Sequence, residues 1–373
     1  MAALGAEKIV RDLLKEAEIE VYGQHPWDIQ VKDSRFYERV LSEATLGLGE
    51  SYVDGWWDVE SIDGMVERML RAGLEKKVKG NIRAALPAIL GRLTNRQSRA
   101  RAYEVGRDHY DLGNDLYAAM LDKRLNYTCA YWKNASTLDE AQEAKLELVC
   151  RKIGLQPGMK VLELGCGWGS FAKYAAEKHG VSVLGVTVSK EQVALGTELV
   201  KGLPVELRLQ DYRTVEGKYD RVISIGVMEH VGFKNYRTYM EVVNRTLRED
   251  GVAFIHTIGG NLSVTAGDPW SDKYIFPNGM LPSIAQLGAA MEGLFVMEDW
   301  HNIGPDYDRT LLAWHANFEA AWPQLKEKYS ERFRRMWRYY LLTSAGSFRA
   351  RNQQLWQIVF TREGTAQPDC RVS

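Results

Sequence analysis

The residues best suited to chemistry lie close together in one stretch. Gly165-Cys166-Gly167-Trp168-Gly169 follows a short apolar run, Val161-Leu162-Glu163-Leu164, and leads into FAKYAAEKHG (171–180), which has helical composition. Glycines let a backbone come close to a ligand, and a helix N-terminus offers N–H groups to an anion, so the loop suits a nucleotide-type ligand. Its spacing is GxGxG. The dinucleotide fingerprint GxGxxG needs glycine at position 170, which is Ser170. It also needs a carboxylate about twenty residues on, ending the second strand, where Val186-Thr187-Val188 stands. A nicotinamide dinucleotide is therefore disfavoured.

Positioning such a loop takes a sheet, and the chain from about residue 150 supplies one. MKVLEL (159–164), SVLGVTVS (182–189), VELRLQD (205–211), YDRVISIGV (219–227) and GVAFIHTIG (251–259) read as strands separated by helical stretches. That alternation predicts a parallel α/β sheet covered on both faces. LFVMEDWHNI (294–303) and LWQIVFTR (355–362) bring the expected count to seven. In this setting Glu163, two residues before GxGxG, matches the usual opening of S-adenosylmethionine (AdoMet) methyltransferases. Glu163 is placed for the methionine ammonium, the loop (Gly165, Cys166, Gly167, Gly169) for the methionine moiety, and Gln210-Asp211, ending the third strand, for adenine. Glu229 just past strand four and His256–Ile258 at the end of strand five converge on the same crevice, because ligands bind at the carboxyl ends of such strands. Taken singly, Cys129 also reads as an inert buried thiol, and His256 and His230 as satisfied core histidines.

The remaining composition sets bounds. The 373 residues suggest two domains or one large domain with additions, and 45% hydrophobic content is ordinary for a globular protein. No run reaches the roughly 18 apolar residues that span a bilayer, and the charged N-terminus lacks a signal-peptide core, so a cytoplasmic location is expected. Four cysteines without a CxxC pair hold neither a disulfide scaffold nor zinc. Lys+Arg and Asp+Glu nearly cancel, 48 against 49, which argues against a nucleic-acid binder. The charge is nevertheless uneven. Lys76, Lys77, Lys79, Arg83, Arg92, Arg96, Arg99 and Arg101 fall within 28 positions that contain no acidic residue. Such a run reads as a surface for anionic lipid headgroups, or as a solvated helix face. Before it, apolar stripes at Ile9–Ala17, Phe36–Leu41 and Ile62–Leu70 predict a small helical domain. The glycines of GLGESYVDGWW (47–57) suggest a turn that presents aromatics, with core packing the job of most of them. Insertions at about 261–290 and 305–353 are expected to form lids or substrate walls.

The chain resembles the cyclopropane-fatty-acyl-phospholipid synthases over nearly its whole length. The likeness runs through GLGESYVDGWW, GRDHYDLGNDLY (106–117), NYTCAYW (126–132), VLELGCGWGS (161–170) and GVTVSKEQ (185–192). It continues through LQDYR (209–213), GVMEHVG (226–232), FIHTIG (254–259) and DPWSDKYIFPNGMLPS (268–283), and ends in EDWHNIGPDYDRTLLAW (298–314) and FRARNQQLWQIVF (348–360). The resemblance implies a helical lipid-binding domain over 1–90 and a Rossmann-like class I AdoMet methyltransferase domain over 91–373, of which 91–150 forms a linker and entry helices. It adds Tyr127, Thr128, Thr187, Gln192 and Tyr212 to the cofactor residues. It further implies methylene transfer from AdoMet across the cis double bond of an unsaturated phospholipid acyl chain, through a carbocation. A bound bicarbonate would act as base, held by Cys129, Glu229, His256, the backbone N–H of Ile258, and Tyr307. A homodimer attached peripherally to the inner face of the cytoplasmic membrane is implied as well. His109 organises the loop leading to the site on this reading. Where many relatives carry cysteine this chain has Ser344, which puts a covalent thiol intermediate in doubt. The alternatives are an acyl-chain methyltransferase that stops before ring closure and a non-catalytic AdoMet-binding membrane protein.

Reversing the charges at Arg92, Arg96 and Arg99 is expected to weaken co-sedimentation with anionic vesicles, most strongly at low salt. Unchanged binding would identify the basic run as a solvated face.

Overall fold

The computed structural model describes residues 2–78 and 113–372. Of the basic run only Lys76 and Lys77 fall among them, and His109 lies outside. The chain divides into two compact units. One comprises Met1–Thr94, Thr265–Pro277 and Tyr307–Gln353; the other comprises Asn95–Val264, Asn278–Asp306 and Gln354–Ser373. The later segments of the first unit come from the stretches the sequence marks as insertions, so the units do not follow the chain as two consecutive blocks.

The first unit is mainly helical. Its apolar stripes form the helices Ala2–Glu16, Arg35–Glu43 and Ile62–Arg71, as their spacing predicts. A two-residue ladder pairs β1 (Gln30–Val31) with β2 (Trp57–Asp58). The expected turn at Gly47 and Gly49 is instead the helix Thr45–Val53. Both glycines serve close packing: a Cβ on Gly47 would stand 2.4 Å from the Arg39 carbonyl oxygen, and one on Gly49 would stand 2.3 Å from the Trp270 ring. Trp57 is wholly buried and its Nε1 donates to Ser51 Oγ at 3.0 Å. The long helix Glu331–Arg349 packs on Ile62–Arg71, where Gly346 leaves no room for a Cβ against the Asp63 carbonyl. Arg349 ties this contact down with 2.8 Å bonds to Asp63 and Asp308.

The second unit is built on a seven-stranded sheet in the order β5-β4-β3-β6-β7-β9-β8. These are β3 (Lys160–Leu164), β4 (Ser182–Thr187), β5 (Val205–Leu209), β6 (Tyr219–Ile225), β7 (Leu247–Gly260), β8 (Val296–Asn302) and β9 (Gln353–Thr361). The pairs β3/β4, β3/β6, β4/β5 and β6/β7 are parallel, and β8/β9 is antiparallel. Consecutive residues enter opposite cores. Leu162, Val222, Ile255 and Ile358 join one cluster, whereas Val161, Ile223, Phe254 and Val359 join the other. Burial of both faces is why these strands read as continuous apolar runs rather than as alternating ones. The helix Leu138–Lys152 covers one face and starts with a capping box between Thr137 and Glu140. No helix among the described residues is long and apolar enough to cross a membrane.

Within β4, Gly185 lets the glycine loop lie against the sheet. A Cβ there would stand 2.7 Å from Cys166 Cβ and 2.8 Å from Leu207 Cδ2. Gly185→Ala is expected to destabilise the protein by about 1–3 kcal/mol through overpacking, measured as a lower urea midpoint with an unchanged slope.

Candidate active site

Strand β3 carries Glu163 to the sheet's carboxyl edge, and the chain then turns at Gly165, Gly167 and Gly169, with φ of +77°, +53° and +82°. Each turn takes backbone into the left-handed region that favours glycine. Gly165 also needs the space, since a Cβ would meet Val227 Cγ2 at 2.3 Å. The N–H groups of Gly165 and Cys166 are used on the Val186 carbonyl, at 2.8 and 3.0 Å, and that of Gly169 on the Cys166 carbonyl at 2.8 Å. The loop therefore contributes to the site mainly through shape.

A cavity opens at this edge. Every cofactor residue expected from sequence lines it except Gly169: Tyr127 and Thr128, then Glu163 to Gly167, Thr187 with Gln192, and Gln210 to Tyr212. Gly169 instead starts the helix Ser170–His179 and packs near Leu207. Thr187 Oγ1 donates to Gln192 Oε1 at 2.7 Å, both buried. Asp211 caps its own turn by accepting from the Arg213 N–H at 2.9 Å, while Gln210 Nε2 donates to Thr214 at 3.1 Å. Cys166 is buried, which pushes its thiol well up and removes it as a nucleophile.

Two buried ionisable groups face this cavity. Burial pushes Glu163 up to about 8, with Lys145 opposing the shift, and its Oε2 has no hydrogen-bond partner among the described residues. Lys145, from the helix Leu138–Lys152, is brought down to about 8 by burial. Its Nζ donates to Thr128 Oγ1 at 2.9 Å and to Asn126 Oδ1 at 3.1 Å. The sequence reading passes over Lys145 and Asn126, and takes His230 for a core histidine; all three line the cavity. The missed signal for Lys145 is helical phase: it shares a face with buried Ala141, Leu148 and Val149, where a lysine needs a reason.

A second cluster forms at the ends of β6 and β7. Glu229, in the short helix Met228–Val231, accepts the Ile258 N–H at 2.6 Å on Oε1, while its buried Oε2 has no partner among the described residues. The Ile258 N–H, expected to face an anion directly, is thus held by Glu229. Burial pushes Glu229 up to about 7. His256, two residues before Ile258 and on the same face of β7, is held neutral by burial and, secondarily, by the charge of Lys145. Its Nε2 is likewise unpartnered, and Gln357 Nε2 lies 3.4 Å from its Nδ1. His230 is half-buried in the cavity wall, and desolvation depresses it to about 4, so it is neutral at pH 7. The Cys129 thiol is fully buried and donates to the Ala130 carbonyl at 3.2 Å. The structure thus brings Cys129, Glu229, His256 and Ile258 into one unit, whereas Tyr307 belongs to the other. There its ring stacks on Phe348 at 4.6 Å. Ser344 lies half-buried in that same unit, on the helix Glu331–Arg349.

A mostly parallel seven-stranded sheet, with an acidic residue and a glycine loop at the end of its first strand, defines a class I AdoMet methyltransferase fold. Residues 97–358 match the family described as mycolic acid cyclopropane synthetase. The cyclopropane-fatty-acyl-phospholipid synthase of Escherichia coli K12 is 52% identical over 355 residues, covering 95% of this chain and 93% of that protein. The tuberculostearic acid methyltransferase UfaA1 of Mycobacterium tuberculosis is 31% identical over 355 residues, covering 87% and 81%. Among solved structures, the mycolic acid cyclopropane synthase CmaA1 complexed with S-adenosylhomocysteine (SAH) and CTAB superposes with a TM-score of 0.65 at 32% identity. That match covers 70% of this chain and 98% of the other. The chain belongs to the mycolic acid cyclopropane synthetase family.

Glu229 generates a pH-dependent test. Its folded value of about 7 lies above the ordinary 4.5, so the folded state holds a proton that the unfolded chain releases between those values. Stability is fully present below the lower value and falls as pH rises through the higher one. Glu229→Gln removes that loss, so its Tm should exceed that of the wild type by a margin that widens from pH 5 to pH 8. An equal margin at both would remove Glu229 from titration in this range.

Proposed function

We propose that the protein adds a methylene group across the cis double bond of unsaturated acyl chains in membrane phospholipids, forming a cyclopropane ring, with AdoMet as the methylene source and SAH as by-product. The observation that carries this reading is the pair of buried, unpartnered polar atoms, Glu229 Oε2 and His256 Nε2, in the unit that holds the glycine-loop cavity. The high identity to the E. coli relative supports the substrate class.

An isolated alkene is a weak nucleophile, so the methyl it attacks must be strongly electrophilic and held in line with it. AdoMet, when bound, supplies that methyl: its S–CH3 bond breaks as the new C–C bond forms. The acyl chain is left with a carbocation, and one proton must leave the new methyl before the ring closes. Neither Glu229, protonated near neutral pH by its burial, nor the single nitrogen of His256 is an obvious base by itself. Together they fit a small oxyanion such as bicarbonate, which is the base we propose. Glu229 donates its carboxyl proton, Ile258 fixes the Glu229 rotamer through the 2.6 Å bond, and His256 Nε2 supplies a second polar partner. Charge-assisted contacts of this kind hold an anion in a dry site. Tyr307 and Cys129 enter the assembly through the family resemblance and not through any distance. Peripheral attachment to the membrane through the basic run, and a homodimer, belong to the same proposal.

Incubation with AdoMet and vesicles of cis-unsaturated phospholipid is expected to raise the acyl mass by one CH2 with loss of the alkene proton signal. The same mass gain with an alkene retained would assign acyl methylation without ring closure, and no gain would sink both. Glu229→Gln should lower turnover by about 100-fold or more while leaving SAH affinity within a few-fold, as expected for a group acting at the reacting carbon.

A further inference from the structure

We propose that Lys145 balances the carboxylate at the amino-acid end of AdoMet through the Thr128 hydroxyl, opposite the Glu163 carboxyl that the motif already assigns to its ammonium. The inference rests on the AdoMet reading above and names a binding group that neither motif nor family resemblance supplies.

Lys145 is only 1% exposed, and a buried ammonium is retained only where something balances it. The charge of Asp122, the largest of those that oppose its desolvation, acts on it only through space. Asp122 has both oxygens engaged: Oδ1 accepts the Asn126 N–H at 2.8 Å, and Oδ2 accepts Asn126 Nδ2 at 2.9 Å and the Arg124 N–H at 3.0 Å. Glu163 influences Lys145 through space, yet the Lys145 Nζ bonds go to Asn126 and Thr128, and among the described residues no ion pair within 4.0 Å joins it to Glu163. An ammonium and a carboxyl group with an unpartnered oxygen thus line one cavity without touching each other, which is the pattern that a zwitterionic ligand completes.

The hydrogen bonds specify how. Lys145 Nζ donates to Thr128 Oγ1, so the Thr128 hydroxyl proton is turned outward as a charge-assisted donor. Gln142, one turn before Lys145, donates from Nε2 to the Thr128 carbonyl at 2.8 Å and fixes that residue's backbone. Thr128 lines the cavity beside Asn126. In an α-amino acid the carboxylate is two bonds from the ammonium carbon's nitrogen, so a ligand whose ammonium reaches Glu163 Oε2 brings its carboxylate within the same pocket. A merely structural lysine would hold the 126–128 segment in place but would not distinguish ligands by their carboxylate.

The test compares SAH with its decarboxylated analogue, which keeps the ammonium, by isothermal titration calorimetry. The wild type is expected to prefer SAH by roughly 10- to 100-fold, the range of a charge-assisted hydrogen bond. Lys145→Met should weaken SAH by a similar factor and leave the analogue within threefold, so that the preference collapses. Thr128→Val, which keeps the lysine and the side-chain shape, should narrow the preference as well and decides the matter if Lys145→Met does not fold. Equal weakening of both ligands, an unchanged preference in Thr128→Val, or a wild type that binds both alike would overturn the proposal. A wild type that binds the adenosyl ligands not at all would instead overturn the AdoMet reading beneath it.

Discussion

Ionisable side chains buried at the carboxyl edge of the sheet constrain everything around them. Glu163, Glu229 and His256 each have a polar atom that no other described residue satisfies, and leaving such an atom unpaired costs about 1–3 kcal/mol. A fold tolerates this only if the surrounding elements fix the groups where they are. Glu163 is set by its parallel pairing with Gly185 on β4 and with Ile223 on β6. Lys145 is set by a capped helix whose neighbouring side chains fill the core. The cost is carried by two dense apolar clusters on the sheet's faces. Sites of this kind exchange stability for chemistry.

Charge also links the cofactor cavity to the Glu229 cluster. The positive charge of Lys145 opposes protonation of His256, and desolvation acts in the same direction. Glu229 is pushed the other way, toward its neutral acid, by burial. Below about pH 7 the cluster is thus largely uncharged, carrying one O–H donor and one imidazole nitrogen. An uncharged lining accepts a single anion without like-charge repulsion, and a dry surround strengthens each contact made to it.

Much of this was legible in the sequence, and what was not has a physical cause. The seven strands and the glycine loop were readable because burial on both faces leaves continuous apolar runs and because GxGxG answers a local backbone need. Glu229, His256 and Ile258 were placed together by their positions at strand ends alone. Gln357 was missed because its role arises from a partner 101 residues away, at His256, and Lys145 because its helical phase marks it as buried without saying that its partner is Thr128. The first half of GLGESYVDGWW, read as a turn, is a helix because its glycines answer distant packing. Gly47 and Gly49 are helical, and what they accommodate is the Arg39 backbone in one case and the Trp270 ring, some 220 residues away, in the other; only Gly55, with φ +78°, lies in a turn. The two-unit division was likewise hidden, since the first unit takes in Thr265–Pro277 and Tyr307–Gln353.

The chain is rich in Trp and Tyr, with 11 and 18, and their places in three dimensions say what most of them do. Abundant Trp and Tyr fit a reaction that passes through a cation, because aromatic faces stabilise positive charge without attacking it. In the first unit, however, several of these faces already have partners. Arg335 lies over Tyr52 at 4.1 Å, Arg68 over Trp27 at 3.8 Å, and Trp270 meets Tyr339 edge-on at 4.7 Å. Trp57 and Trp337 are completely buried. These rings build the unit rather than wait for a substrate, so composition alone overstates the walls available to a carbocation. The groups set apart for chemistry are few, polar and unpaired, and they gather where β3, β6 and β7 end.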